Sequence, residues 1–572
     1  MPTTEKRKHQ AFLKNIVEEE RPFVLLNGEE DSLFEEFLNE IEKRERRAVV
    51  YDYRDENLFA PYAPWLQLVL TELEKLPETA RQRLYREEKI YYVLEQLIES
   101  TLQAGTPSRL EPLIEEEVFY EIEECIEGIK RLYLRLVVGE KPLVVFLRNL
   151  HLAPESSIEF LRVFSQETGS LVQVYGTFSS GRLGSCRALS ELVVFCQEKN
   201  QVFELWEEDG IVKEETERSL WFSTKNPDRL LQLQYSFLVY NAVRDAYQMG
   251  IQYLERSERH DWDESSQMLL AWQTGKAAAI LKEYNEAAHY LNMAFVLMER
   301  MPSSPSDRVR LYRDMAFVFF MKDSIADALT LLEKAFHLPE SEKEKRTYFE
   351  AFFLYFQIED KNRKQQPRPW REIYEKIINL AIELNYENHL ALIYINPYGI
   401  YSEYASDVDK YNTLLLNEKG ISLAKKLRNT YRLSHGYQIR GLIYAVMGQY
   451  DQVITWYRRS LVLKKRMGLP LEIAYGYNGV GFYYYMTGRY EEAHQYYTQA
   501  LEYLFSLKDF HEIAMTYFNM GMNCLLGLDE KHARVFFEEV LKLIQILGMN
   551  GLAYHSLFGI YAVLGTVYAL QG

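Results

Sequence analysis

Ala474-Tyr-Gly-Tyr-Asn-Gly-Val-Gly-Phe-Tyr-Tyr-Tyr-Met-Thr-Gly488, then Arg489, then Tyr490-Glu-Glu-Ala-His-Gln-Tyr-Tyr-Thr-Gln-Ala-Leu-Glu-Tyr-Leu504 make two amphipathic stretches joined by a polar turn. Apolar and aromatic residues recur in both at helical intervals, which predicts helix–turn–helix. The pattern repeats. Gly441, Gly481 and Gly521 lie 40 residues apart, and Tyr437, Tyr477 and Tyr517 each precede them by four. The same register aligns Tyr444 with Tyr484, Tyr450 with Tyr490, Ala493 with Ala533, and Tyr457 with Tyr497 and Phe537. Small residues at Gly481, Ala493 and Ala500 let two helix backbones approach, while tyrosines at helical spacing fill the gaps between them. Much of the aromatic content, 43 Tyr, 30 Phe and 7 Trp in 572 residues, is thereby assigned to packing.

At this point the stretch resembles a tetratricopeptide repeat, whose pattern Tyr477, Val480, Gly481, Tyr484, Ala493, Tyr497 and Ala500 match in order. The family period is about 34 residues. The longer period here predicts helices extended by nearly a turn each. Upstream, Gly275, Tyr284, Ala287, Leu291 and Ala294 fit the template, as do Tyr312, Ala316, Phe319, Ala328, Leu332 and Ala335. Residues 345–385 are interrupted by the polar loop Asp360-Lys-Asn-Arg-Lys-Gln-Gln-Pro-Arg-Pro369, and residues 387–428 match poorly. We expect residues 228–551 to form an all-α solenoid of about seven helix pairs, each burying its face on its neighbours. Residues 552–572 read as one more apolar helix, available for self-association or for contact with a partner.

The first part of the chain alternates short apolar runs with helical stretches, which predicts an α/β sheet. Pro22–Asn27, Arg47–Tyr51, Lys141–Leu147 and Gly169–Tyr175 read as buried parallel strands. Four landmarks follow in order: the strand ending at Gly28, Pro61-Tyr-Ala-Pro-Trp-Leu-Gln-Leu-Val69, Arg148-Asn-Leu-His-Leu-Ala-Pro-Glu-Ser-Ser157, and Lys225-Asn-Pro-Asp-Arg-Leu-Leu231. The order resembles the AAA-related module of the signal-transduction ATPases with numerous domains, in which a P-loop ATPase precedes a helical repeat array. The resemblance implies an N-terminal arm over residues 1–20, an ATPase-like domain over 21–227 with a helical insertion around 75–137, and then the repeats.

The catalytic positions implied by that resemblance are altered. In G-x-x-x-x-G-K-[ST], backbone amides and the lysine hold phosphates and the hydroxyl holds Mg²⁺. Here Gly28 is retained, but Leu33, Phe34 and Glu35 replace the second glycine, the lysine and the hydroxyl residue. Glu29, Glu30 and Asp31 add negative charge where a phosphate would sit; each such charge at about 4 Å opposes it by roughly 4 kcal/mol at an intermediate dielectric. Arg148 and Asn149 stand in place of the acidic pair that would organise Mg²⁺, and Lys225 in place of the sensor glycine. The expectation is a degenerate, P-loop-NTPase-like α/β module without cofactor, with Gly28, Phe34, Arg148, Asn149 and Lys225 marking the vacated pocket and Arg148 paired with Glu29 or Glu30. An unrelated α/β domain with the same strand ends is the competing reading.

Composition narrows the function further. The 83 acidic and 66 basic residues leave a net charge of −17, which opposes a nucleic-acid backbone. Charges between Gln10 and Arg21 exclude the apolar core of a signal peptide. Leu557–Leu570 is the longest apolar run and is short for a membrane span. Cys125, Cys186, Cys196 and Cys524 are scattered, as expected of buried thiols in the cytoplasm. No metal motif or nucleophile–base constellation is present: His511-Glu512 does not extend to H-E-x-x-H, and Gly176–Gly181 is not G-x-S-x-G. The acidic runs Glu115-Glu-Glu117 and Glu123-Glu124 read as a solvated helical face.

Tetratricopeptide solenoids recognise peptides or helices along the concave face lined by first helices. Transferring that register gives Tyr475, Asn478, Phe482, Tyr485 and Met486, then Met515, Phe518, Met522, Leu525 and Leu526 one period on, and His435, Gln438, Leu442, Ala445 and Val446 one period back. The face is apolar, aromatic and methionine-containing, which suits an amphipathic helix; burial of the same residues in a tight superhelix is equally compatible. The expected function is a non-catalytic protein–protein interaction scaffold or signalling regulator. A nucleotide-binding regulatory switch and a relative of transcription regulators without its DNA-binding domain are the alternatives.

Overall fold

The computed structural model describes residues 23–27, 47–53, 60–104, 107, 111, 114, 117–138, 143–167, 172–178, 187–199, 201–204, 227–255, 262–322, 324–336, 345–362, 370–397, 407–547 and 565. Two compact units are formed, one from Met1–Leu110 with Glu121–Pro302, the other from Glu111–Tyr120 with Ser303–Gly572. The terminal stretch expected to form an apolar helix lies outside the described residues, apart from Gly565.

The first unit is built on β1 (Phe23–Asn27), β2 (Arg47–Asp52), β3 (Leu143–Arg148), β4 (Val172–Phe178) and β5 (Val202–Glu204). They form one parallel sheet in the order β2-β3-β4-β1-β5. Phe23, Val24, Leu25, Val145, Leu147 and Val174 are all buried, as continuous apolar runs in parallel strands require. Between β2 and β3 come α1 (Trp65–Glu74), α2 (Glu78–Glu87), α3 (Tyr92–Ala104) and α4 (Val118–Tyr133). Trp65, from the Pro61–Val69 landmark, is fully buried and stacks on Phe160 of α5 (Glu155–Glu167) with ring centroids 5.0 Å apart.

After α6 (Arg187–Glu198) the chain turns helical throughout, beginning with α7 (Pro227–Val239) and α8 (Val243–Glu255). Buried Asp245 of α8 accepts from the backbone N–H groups of Glu155 and Ser156 at 2.6 and 3.0 Å, capping α5. Burial pushes its carboxyl up to about 6 and that of neighbouring Glu159 up to about 7. The pair α9 (Glu264–Ile280) and α10 (Tyr284–Arg300) completes the unit, with Ala287, Leu291 and Ala294 of the expected template fully buried.

The second unit is helical among its described residues. Its pairs are α11 (Pro305–Met321) with α12 (Ile325–Phe336), α13 (Lys345–Asn362) with α14 (Trp370–Glu383), α15 (Glu387–Ile395) with α16 (Asp407–Lys426), α17 (Thr430–Val446) with α18 (Tyr450–Met467), α19 (Pro470–Met486) with α20 (Tyr490–Leu507), and α21 (Phe510–Leu526) with α22 (Glu530–Leu547). From α17 on, a 17-residue helix, a three-residue turn, an 18-residue helix and a two-residue link account for the period. The glycine in each first helix is where a ring of the second helix docks. A Cβ on Gly481 would stand 2.7 Å from Tyr497, one on Gly441 2.6 Å from Tyr457, and one on Gly521 2.7 Å from Phe537. Tyr457, Tyr497 and Phe537 are correspondingly buried.

Candidate functional site

The register that buries Tyr477, Val480, Gly481 and Tyr484 leaves Tyr475, Asn478, Phe482 and Tyr485 of α19 half-buried beside them, and likewise Met515, Phe518 and Met522 of α21. Phe482 and Tyr485 pack against one core cluster and stack at 6.1 Å, while Met515, Phe518 and Met522 pack against the next, with Phe518 edge-on to its core ring Phe537 at 5.8 Å. Asn478 donates from Nδ2 to Thr516 Oγ1 at 3.0 Å, while its Oδ1 is buried with no hydrogen-bond partner among the described residues. An unpaired buried carbonyl is costly. Tyr475 is tied to Glu512, whose carboxyl burial pushes up. One repeat back, half-buried His435 bonds Asn396 Oδ1 at 3.0 Å and is held down to about 3 by burial, and half-buried Gln438 accepts from buried Lys464 at 2.8 Å.

A second cleft, which the sequence did not announce, lies at the N-termini of α15 and α17. It holds Glu111, Ile114, Glu117 and Tyr120. The Glu111 carboxylate sits over the first turn of α15, where it accepts from the Asn388 N–H at 3.1 Å, from the His389 N–H at 3.2 Å and faces His389 Nδ1 at 3.0 Å. A helix N-terminus presents free N–H groups and partial positive charge, so it is suited to a carboxylate. Ile114 inserts into the apolar cluster made by Phe349, Phe352 and Phe353 of α13. Glu117 is fully buried and ion-pairs with equally buried Arg432 of α17. Its other oxygen accepts from Asn388 Nδ2 at 2.8 Å and Asn429 Nδ2 at 3.3 Å. Asn429 also caps α17, its Oδ1 accepting from the Arg432 N–H at 2.8 Å. Tyr120 accepts from the Thr430 N–H at 3.1 Å through its hydroxyl and stacks on Tyr431 at 5.8 Å.

This corrects the expectation for the acidic run. Glu117 does not lie on a solvated face; burial beside a guanidinium and two carboxamides makes it part of the core of the second unit. The signal available beforehand was faint: Asn388 and Asn429 stand 41 residues apart, close to one repeat period, in a region whose template match is poor.

At the sheet, Arg148 and Asn149 stand at the carboxyl end of β3, next to the end of β2. Arg148 Nη1 lies 3.8 Å from Asp52 Oδ2, and Asn149 Nδ2 donates to Asp52 Oδ1 at 2.8 Å. The nearby acid is therefore engaged by the two residues that replace the expected acidic pair. Gly28, Glu29, Glu30, Phe34 and Lys225 lie outside the described residues. Among the described residues no group of three or more His, Cys, Asp or Glu side chains could hold a metal ion, and no helix is long and apolar enough to cross a membrane.

Residues 474–504 match the tetratricopeptide repeat family. No curated protein matches the chain. Among solved structures, the apo form of RapI is 12% identical, over 58% of this chain and 90% of that one, with a TM-score of 0.44. The apo form of the quorum sensor NprR from B. thuringiensis is 12% identical, over 63% and 94%, with a TM-score of 0.44. A signal transduction ATPase with numerous domains protein with a tetratricopeptide repeat sensor, from Pyrococcus horikoshii, is similar over 99% of this chain and 92% of its own, at 11% identity and a TM-score of 0.37.

Proposed function

We propose that the chain is a non-catalytic protein-interaction scaffold or signalling regulator whose repeats bind protein segments along the first-helix face, and whose α/β region is a pseudo-ATPase. The strip of half-buried Tyr475, Asn478, Phe482, Tyr485, Met515, Phe518 and Met522 carries the reading, because it presents apolar and aromatic area along first-helix positions. Such a strip fits the apolar face of an amphipathic helix. Affinity capture with Phe482→Ala and Met522→Ala chains tests it, with Glu502→Ala on the outer face as control. Partners lost from the first two and retained by the third are expected; capture indifferent to all three would end this reading.

The pseudo-ATPase part rests on Phe34 in the lysine place and on the engagement of Asp52 by Arg148 and Asn149. No change in melting temperature with Mg-ATP is expected, whereas a bound nucleotide at 100 times its dissociation constant would add about 2.7 kcal/mol. A clear shift would favour the nucleotide-dependent switch instead.

A further inference from the structure

Glu111, Ile114, Glu117 and Tyr120 recur at three-residue intervals, and each meets a feature of the repeat array that matches its chemistry: a helix N-terminus, an apolar pocket, a buried arginine with two asparagines, and a tyrosine face. Phe119, out of that phase, is exposed. Its hydrogen-bond partners lie 271 to 312 residues further along the chain, and the segment falls within the second unit. It sits on the array as a peptide ligand would.

The choice of a buried ion pair carries information. Apolar residues of the same volume would stabilise such a site as well or better, because desolvating Glu117 and Arg432 offsets much of their attraction. What the pair, the Asn388–Asn429 clamp and the N-terminal seat for Glu111 provide is selectivity, since a segment without the two carboxylates takes the Glu117 carboxylate from the buried guanidinium and the Glu111 carboxylate from the helix end. We propose that this cleft is a recognition site for acidic peptides with the order Glu, aliphatic, Glu, aromatic at three-residue intervals, that Glu111–Tyr120 occupies it in cis, and that a protein partner bearing such a segment exchanges for it. This rests on the reading of the repeats as a protein-binding array, but it uses a different surface from the Phe482 strip.

The test uses the full chain with Glu111→Ala and Glu117→Gln, titrated with a fluorescein-labelled peptide of residues 109–122 and followed by anisotropy. Removing the cis competitor raises the competent fraction, so binding at least about tenfold tighter than to the unsubstituted chain is expected. Adding Arg432→Gln should abolish it, and a peptide with Gln in place of Glu117 should bind about tenfold more weakly. Equal binding to both chains, or binding indifferent to Arg432, overturns the proposal. Should the double variant melt early, restoration of its melting temperature by the peptide supports the proposal and failure to restore it defeats it. Phe482→Ala should leave the titration unchanged, so failure of the strip and failure of the cleft are read separately.

Discussion

The repeats α17 to α22 and the cleft at the N-termini of α15 and α17 solve the same packing problem by opposite means. In the regular repeats a glycine of one helix receives a buried ring from the next, and side chains of the same and adjacent repeats complete the core. In the cleft, α15 has only nine residues, and the space is filled by carboxylates and an isoleucine from far away in sequence. Regular repeats need only their neighbours. Where the repeat breaks down, stability comes to depend on a segment from outside the array and on charges that must be matched one to one.

The largest expected effect follows from that dependence. Glu117→Ala removes the carboxylate in contact with buried Arg432 and should cost about 3–5 kcal/mol in urea unfolding. Joint replacement of Glu117 and Arg432 by Met should cost less than either single change; additive losses would show that the pair is not the unit that matters. In the regular repeats the matching experiment is Gly481→Val, which forces a side chain into the Tyr497 ring and should cost about 1–3 kcal/mol by the same measurement. A neutral result would break the glycine–ring account of the period.

A third probe compares Glu117, buried with a guanidinium in contact, with Glu159 of the first unit, whose Arg244 partner stands off at 3.7 Å. Burial pushes the Glu159 carboxyl up from 4.5 to about 7. The fold therefore retains a proton that the unfolded chain has released, and this contribution, fully present below about pH 4.5, is lost as pH rises to 7. Glu159→Gln cannot lose the proton. Its stability relative to the parent should rise by about 1–2 kcal/mol between acid and mildly alkaline buffer, allowing for partial exposure of the side chain. A pH-independent difference between the two chains would refute the assignment.

The smallest expected effect is a gain. Gly448 and Gly488 turn between paired helices at φ of 71° and 74°, and the equivalent residue 40 positions on is Leu528, at φ 63° and 88% exposed. Leucine is disfavoured there, so Leu528→Gly should raise stability by up to about 1 kcal/mol, measured as a higher melting temperature.

The period, the glycine–ring contacts and the separation of core from half-buried positions on α19 were legible because they are local, each set by residues within one repeat. The parallel strands were legible as apolar runs, with ends displaced by one to three residues. The strand β5 has three residues, too few to show a pattern. Glu117 was misread because three consecutive glutamates ordinarily mark a wet surface, and nothing near them in sequence names Arg432. Likewise Asp52, as the companion of Arg148 and Asn149, is fixed by strand order, which a strand list does not reveal.

The distance of Glu117 from Asn429, 312 residues, has a consequence during synthesis. At about 5–20 residues per second, Glu111–Tyr120 leaves the ribosome on the order of 15–60 s before the helices that receive it. Throughout that interval two carboxylates, an isoleucine and a tyrosine are without their seats, while the helices between can pair locally as they emerge. The nascent chain thus passes through a stage in which the segment has been made and the cleft does not yet exist. Any factor that recognises the segment has its opportunity then, before the chain has completed its own receptor.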